Sequence, residues 1–350
     1  MSPNSTTPQA KADPALAAAL AALRGQRCLV TGGAGFVGSH IIDLLVDAGC
    51  DEIIAVDNMV RGRPENLARA MRGSNRVRLV EGDLRDNTLM RSLVEGADTV
   101  FHQGALRITQ CAQEPRTAFE VMVTATYDLF EQCVAAKVRK VVYASSASVY
   151  GMAQEFPTTE NQNPYDNRTL YGAAKAFGEG LLRSFNDMHG LSYVALRYFN
   201  VYGPRMDIHG RYTEVLVRWM DRLADGQPPV IFGDGLQTMD MIHVRDVARA
   251  NILAAAAPAA SDIALNVGTG TETSLLGLAQ LLSEVMGKPG LFPVFQEARA
   301  VNPVPRRLAD VSAARAAIGF EASIPLAEGL AELVDWWRDE KMLMPVSRTA

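Results

Sequence analysis

Tyr171 and Lys175 stand four residues apart in the stretch LYGAAK, a spacing that suits acid–base chemistry. Residues four apart share one face of a helix, so both side chains can point into one site. A free tyrosine has a pKa of about 10 and is a poor base at neutral pH. An adjacent ammonium group favours the phenolate and lowers that pKa. The pair therefore predicts a site where a tyrosine removes and returns a proton.

A serine that precedes this pair is expected to share the proton. The stretch SSASVYG reads as the end of a strand, and Ser146 is the candidate that hydrogen-bonds near the substrate oxygen. Ser145 and Ser148 are the alternatives. A half-buried tyrosine packed beside a lysine stem is the non-catalytic interpretation of LYGAAK. The glycine-rich stretch TGGAGFVGS and the predicted strand that ends in SSASVYG precede the pair in the expected order, which disfavours that interpretation.

A glycine-rich stretch, TGGAGFVGS, joins the first predicted strand to the first predicted helix. Glycines here allow a tight turn and a close approach of the backbone to a pyrophosphate at the helix N-terminus. The motif reads as GxxGxxG, or as GxGxxG if Gly33 is counted first. The residues expected to contact a dinucleotide are Gly32, Gly35, Phe36, Val37 and Gly38.

An acidic residue follows the second predicted strand, in AVDN, nineteen residues after the last loop glycine. Its carboxylate, that of Asp57, can accept hydrogen bonds from the adenosine ribose and would repel a 2′-phosphate, which favours NAD over NADP. Arg61 and Arg63 lie nearby in sequence and leave NADP as the alternative cofactor. The alternative is a capping aspartate in a loop that binds no phosphate. The other residues expected beside the cofactor, each equally explained as a turn residue, are Asn58, Asp83, Leu84, Gly104 and Ala105.

Short β-branched runs alternate with helical patterns from Arg27 to Asn200, the rhythm of a doubly wound parallel sheet. We therefore predict an α/β fold with a Rossmann-type sheet and a smaller C-terminal substrate-binding domain. Residues 1–24 are expected as a flexible tail carrying a short helix. Residues 25–200 form the nucleotide-binding domain, with a returning segment near 240–270. Residues 201–239 and 271–345 form the cap.

The composition is that of an ordinary soluble protein, with 48% hydrophobic and 21% charged residues among 350. A net charge of −5 and the lack of a basic stripe argue against nucleic-acid binding. The Ala/Leu run near the start is too short to span a membrane. The four cysteines lie far apart, so we expect no metal site, no disulfide framework and a cytoplasmic location.

These motifs, with RYFNVYGPR and GDGLQT further on, stand in the order typical of one family. From about residue 26 to about residue 340, the chain resembles the extended short-chain dehydrogenases/reductases of the NAD-dependent nucleotide-sugar epimerase/dehydratase family, and UDP-glucose 4-epimerases in particular. The resemblance implies tightly held NAD, whose positive nicotinamide ring would also lower the tyrosine pKa. It further implies transient oxidation of a sugar. A homodimer is expected through the helix over about 115–136 and the helix that begins near 171.

The resemblance also favours one reaction. Dehydratases of the family carry Asp-Glu where this chain has Ala147 and Ser148, and decarboxylases tend to carry glutamate at the second position. The missing acid favours C4 epimerisation of a UDP-hexose, such as UDP-glucose or UDP-galactose, or of UDP-glucuronate. A decarboxylase, a 4-keto-sugar reductase or dehydratase, and a non-catalytic NAD-sensing protein are the alternatives.

The family pattern further implies two substrate contacts. Asn200 is expected to contact the diphosphate, and residues 230–233 are expected to lie along the nucleotide base. Met239 stands where many relatives have an arginine expected to bind the diphosphate, so either Arg299 or the Arg306/Arg307 pair is expected to take over that charge. Met122 stands where an asparagine is usual, which is expected to loosen a polar contact near the active site. Beside the sugar's C2 and C6 substituents, Arg307 would disfavour an N-acetylhexosamine and favour an acidic sugar. The expected substrate-binding residues are Ser146, Ser148, Asn200, Arg205, Ile231, Phe232, Arg299 and Arg307.

Overall fold

The computed structural model describes residues 13–163, 166–208, 214–297 and 304–343. Its strands are β1 Arg27–Thr31, β2 Glu52–Asp57, β3 Val77–Glu81, β4 Thr99–His102, β5 Lys140–Ser146, β6 Tyr193–Tyr198, β7 Asn200–Tyr202, β8 Val230–Phe232, β9 Thr238–Met239, β10 Met241–His243, β11 Ile263–Val267, β12 Thr273–Ser274 and β13 Val294–Gln296. Its α-helices are α1 Pro14–Ala22, α2 Phe36–Ala48, α3 Ala68–Met71, α4 Asn87–Val94, α5 Ile108–Gln113, α6 Pro115–Phe119, α7 Ala125–Ala135, α8 Leu170–His189, α9 Val215–Ala224, α10 Val244–Ala256, α11 Leu275–Val285, α12 Ser312–Ile318 and α13 Leu326–Leu343. Short 3-10 segments cover Pro64–Leu67 and Ala147–Tyr150, and a π-helical segment, Glu120–Thr124, joins α6 to α7.

A parallel sheet of seven strands forms the centre, in the order β11-β6-β5-β4-β1-β2-β3. Helices α2 and α10 pack on one face, and α4, α7 and α8 pack on the other. Because both faces are covered, β4, β5 and β6 are buried along their whole length. The predicted Rossmann-type doubly wound sheet is confirmed, and β11 rejoins it beside β6 as an in-register parallel strand.

Helix α8, which carries LYGAAK, has well-defined ends. The Thr169 hydroxyl accepts a hydrogen bond from the Gly172 N–H at 3.0 Å, which satisfies one of the free amides of the first turn. Gly190 ends the helix in the left-handed conformation, at φ 70°. Since α8 packs against β5, its first two turns lie beside the carboxyl ends of the central strands.

A separate apolar core holds the cap together. Helices α9, α11 and α13 pack around Trp219 and Trp337, with strand β8 beneath them. The segment from Ser312 to Phe320 was predicted in the cap, but its Ala314, Ile318 and Phe320 are buried against the sheet helices. The cap therefore consists of fewer residues than the sequence pattern indicated.

The N-terminal helix also differs from the prediction. Residues 13–24 were expected within a flexible tail, yet α1 packs on α10 and Leu23 is fully buried. Apolar side chains on one side of the Ala/Leu run supply this contact, and the Asp13 carboxylate caps the helix. Residues 1–12 lie outside the described residues. Within the described part of the chain, no helix is both long and apolar enough to cross a membrane.

Candidate active site

One large cavity of about 1230 Å³ opens at the carboxyl ends of the central strands, between the sheet and the cap. It exceeds the usual volume of a pocket for a single small ligand, up to about 1,000 Å³. Ligands of open α/β sheets bind at this edge. The predicted site residues that line it are Gly32, Gly35, Phe36, Val37, Gly38, Asp57, Asn58, Asp83, Leu84, Gly104, Ala105, Ser146, Ser148, Tyr171, Lys175, Asn200, Arg205 and Arg307.

The glycine loop is packed so closely that side chains cannot enter it. A Cβ atom added to Gly38 would lie 2.2 Å from the Gly32 carbonyl oxygen, and Gly32 itself has a φ of +64°. The close approach holds the start of α2 against the loop, so that its first amides face the cavity. These amides form an environment that suits a pyrophosphate.

Asp57 ends β2 inside the cavity. Its carboxylate accepts hydrogen bonds from the Ala34 N–H at 3.1 Å and the Met59 N–H at 3.0 Å. Burial raises its pKa, and the backbone donors partly offset that shift. A carboxylate held in this way can accept hydrogen bonds from the adenosine ribose hydroxyls and disfavours a 2′-phosphate on that ribose. Together with the glycine loop, the site therefore fits NAD.

Tyr171 and Ser146 are brought together by α8 and the end of β5. Both side chains line the cavity, and the nearby Ser146 hydroxyl lowers the pKa of Tyr171. The Ser146 hydroxyl also accepts a hydrogen bond from the Ser148 N–H at 3.1 Å. The Ser145 hydroxyl instead hydrogen-bonds the Glu179 carboxylate. Successive residues of a strand face opposite ways, so Ser146 and not Ser145 reaches the tyrosine.

Lys175 lies beside this pair, with 3% of its surface exposed. Its ammonium donates to the Ala144 carbonyl at 2.6 Å and lies 5.9 Å from the Tyr171 ring centroid. Burial lowers the pKa of Lys175 to about 8. Burial also raises the pKa of Tyr171, although the nearby Ser146 hydroxyl opposes that shift. In the protein alone, desolvation therefore outweighs the lowering that the spacing of the pair predicted.

Two predicted residues at the substrate end of the cavity, Asn200 and Arg205, have different surroundings. The Asn200 side-chain amide donates to the Met239 sulfur at 3.4 Å, and its oxygen is buried with no partner among the described residues. Arg205 is ion-paired to Asp43 at 2.7 Å, so its charge is largely neutralised. Met122, in the π-helical segment, is buried in an apolar cluster and accepts a hydrogen bond from the Cys111 thiol.

The residues expected along the nucleotide base point to opposite sides of their strand. Phe232 lines a second, smaller cavity with Trp219 and Arg218. Ile231 points the other way, is fully buried and packs in the cap core, so its predicted substrate contact is wrong for the side chain. Arg218 lines both cavities. Arg299 lies outside the described residues.

Several lining residues were not predicted from the sequence. Arg61 donates to the Ala105 carbonyl at 2.8 Å across the cavity, and Arg107 lies 3.6 Å from Asp207. They come from loops whose paths no local pattern specifies. The sequence indicates Arg61 only as a partner of a 2′-phosphate.

The chain matches the model of the NAD dependent epimerase/dehydratase family over residues 28–268. A UDP-glucose 4-epimerase of Mycolicibacterium smegmatis is 35% identical over 317 residues, which cover 90% of this chain and 99% of the relative. A structure of a UDP-N-acetylglucosamine 4-epimerase from Methanobrevibacter ruminantium, in complex with UDP-N-acetylmuramic acid, is 33% identical, with a TM-score of 0.84 and coverage of 91% and 99%. A structure of MoeE5 with UDP-glucuronic acid and NAD is 34% identical, with a TM-score of 0.78 and coverage of 90% and 99%.

The protein belongs to the NAD-dependent epimerase/dehydratase family, as its glycine loop, Asp57 and tyrosine–lysine pair predicted. Its cofactor is NAD. The relatives differ in the sugar that they act on or bind, so the sugar must be argued from this chain's own residues.

Proposed function

We propose that this protein is an NAD-dependent enzyme that inverts C4 of a UDP-sugar through a 4-keto intermediate. The observation that carries the proposal is that Tyr171, Ser146 and Lys175 line one cavity. The turn that follows Ser146 presents Ala147 and Ser148 there instead of carboxylates. Removal of water or carbon dioxide needs a further acid–base group there, whereas epimerisation needs only a proton carrier and a hydride carrier.

Each of these side chains has a defined role. Tyr171 takes the proton from the 4-hydroxyl and returns it from the other face of the sugar. Ser146 holds the same oxygen by a hydrogen bond. Lys175 supplies a positive charge that favours the phenolate, and it orients the ribose of the cofactor. The glycine loop and Asp57 would hold NAD, which would supply a hydride acceptor and donor for C4 with no net oxidation.

The remaining groups bind the UDP portion. Asn200 contributes an uncharged donor to the diphosphate, and Arg218 contributes charge, since it lines both cavities. Arg205 contributes less because Asp43 neutralises it. The second cavity, between Phe232 and Trp219, receives the nucleotide base. An aromatic wall suits a planar base.

Turnover of nucleotide sugars without added cofactor tests the proposal. The wild-type enzyme should change the configuration at C4 with no net NADH formed or consumed and no carbon dioxide released. Tyr171→Phe should lower kcat by about 10²- to 10⁴-fold, the usual contribution of a positioned acid–base group. Unchanged interconversion by Tyr171→Phe would refute the mechanism. Release of carbon dioxide would indicate a decarboxylase, and consumption of NADH a reductase.

We also propose that the protein is a homodimer in the cytoplasm. Exposed aromatic and apolar side chains gather on the adjacent helices α6, α7 and α8: Phe119, Tyr127, Phe177 and Met188. A second copy would cover them. Light scattering should give twice the 37.9 kDa chain mass, and Phe177→Glu should give the monomer. Met71→Glu, at an exposed site on α3, is the control. Four free, buried cysteines suit a reducing compartment.

A further inference from the structure

Two consecutive arginines near the end of the chain have opposite environments. Arg306 is exposed, ion-paired to Glu272 at 2.6 Å, and its guanidinium stacks on the Phe156 ring at 4.5 Å. Arg307 lines the active-site cavity together with Tyr171 and Ser148. The first arginine is therefore satisfied at the surface, and the second presents its charge to the ligand.

The backbone around Arg307 is held firmly beside the catalytic turn. The Arg307 N–H donates to the Thr238 carbonyl at 3.0 Å, and the Thr158 N–H donates to the Leu308 carbonyl at 2.8 Å. Ala309 packs in one apolar cluster with Ala147 and Val149, which flank Ser148. The backbone that carries Arg307 thus lies beside the turn that follows the catalytic serine.

The guanidinium of Arg307 has no hydrogen-bond or ion-pair partner within the described ranges, and the segments between and beyond those ranges contain no aspartate or glutamate. No acidic side chain of this chain therefore neutralises it. Burial lowers the pKa of Arg307, and its charge acts on Tyr171. A cation left unpaired at a half-buried site lacks the anion that would offset its desolvation.

We propose that Arg307 recognises a carboxylate on the sugar, so that the preferred substrate is a UDP-hexuronate such as UDP-glucuronate. This inference rests on the proposed 4-epimerase function. In a uronate, the C6 carboxylate is attached to the carbon next to C4. A cation beside Tyr171, which acts at C4, is therefore placed to pair with it. A planar guanidinium matches a carboxylate with two parallel hydrogen bonds.

The diphosphate is the competing anion for Arg307. It is attached at C1, across the pyranose ring from C4, and the cavity has Arg218 at the end that leads to the second pocket. Arg307 lines the cavity with Tyr171, and the backbone that follows it packs on the turn that carries Ser148, so Arg307 lies at the C4 end. A neutral hexose or an N-acetylhexosamine would leave this cation unpaired, which disfavours both.

The test compares kcat/KM for UDP-glucuronate, UDP-glucose and UDP-N-acetylglucosamine in the wild type, Arg307→Met and Arg306→Met. The wild type should prefer UDP-glucuronate. Arg307→Met should lower the ratio of UDP-glucuronate to UDP-glucose turnover by about 10- to 100-fold, the range for a charge-assisted hydrogen bond. Arg307→Lys should restore part of the ratio. Arg306→Met, which removes the same charge from the neighbouring surface position, should keep the wild-type ratio.

Calorimetric binding of UDP separates the two anions, since UDP has the diphosphate but no sugar. Arg307→Met should bind UDP as the wild type does. A parallel loss of UDP binding and of turnover on all three sugars would assign Arg307 to the diphosphate and overturn the inference. A wild-type preference for UDP-glucose or the N-acetyl sugar would overturn it as well, while leaving the 4-epimerase proposal intact. Absence of C4 inversion with every sugar would instead refute the proposed function.

Discussion

Replacing Lys175 by methionine should make the protein more stable and inactive. The pKa of Lys175 is lowered from 10.5 to about 8 by burial, and its side chain is 3% exposed. That shift corresponds to about 3 kcal/mol by which the buried ammonium group destabilises the folded state at neutral pH. The lost hydrogen bond to the Ala144 carbonyl offsets about 1 kcal/mol. We therefore expect a net stabilisation of about 2 kcal/mol.

The pH dependence gives this prediction a second readout. Because the folded-state pKa is lowered, the unfolded chain binds more protons between about pH 8 and about pH 10.5, and wild-type stability rises with pH in that window. The stability difference between Lys175→Met and wild type should therefore narrow by about 1 kcal/mol between about pH 7 and about pH 9.

Urea denaturation of the two cofactor-free proteins measures both quantities, since bound NAD would stabilise each form by mass action. Lys137→Met removes the same charge from an exposed position, and it should change stability by less than about 0.5 kcal/mol. The reasoning is refuted if Lys175→Met is less stable than the wild type at neutral pH, or if the difference does not depend on pH.

Three further predictions concern the loop, the buried ion pair and the tyrosine. Gly38→Ala should abolish NAD binding by calorimetry, since its Cβ would lie 2.2 Å from a loop carbonyl, whereas Gly290→Ala, with open space around it, should bind normally. Glu179→Gln should cost about 3–5 kcal/mol in urea unfolding because it leaves a buried arginine unpaired; Asp47→Asn, in an exposed pair, should cost less than about 1 kcal/mol. The Tyr171 phenol should titrate above its ordinary pKa in cofactor-free protein and lower with NAD⁺ than with NADH, read as the ultraviolet difference from Tyr171→Phe.

Much of the site could be predicted because its residues follow directly from periodic elements. Tyr171 and Lys175 share a helix face, and Ser146 and Asp57 end strands, so the sheet itself brings them to one edge. Ile231 could have been placed correctly as well. The period of two in its strand requires that its side chain and that of Phe232 face opposite ways.

Other features depend on long-range packing that no local pattern contains. Arg61 reaches across the cavity to Ala105 from a loop forty-four positions away in sequence. Leu23 is buried because α1 packs on α10. Ala314 is buried because α12 packs against the helices of the sheet and not in the cap. Such contacts are made between segments distant in sequence, so composition and spacing could not specify them.

The sign of the Tyr171 pKa shift is the point on which sequence reasoning and structure differ most in mechanism. Spacing predicts a lowered pKa from Lys175, yet the same burial that positions the phenol raises its pKa and also lowers the pKa of the lysine. The charges of Arg61 and Arg307 lower the Tyr171 pKa without reversing that shift. The positive nicotinamide ring of NAD⁺, bound in the active-site cavity, would lower the Tyr171 pKa further. Proton removal by Tyr171 is therefore expected to depend on the oxidised state of the bound cofactor, which would make the base competent when a hydride acceptor is present.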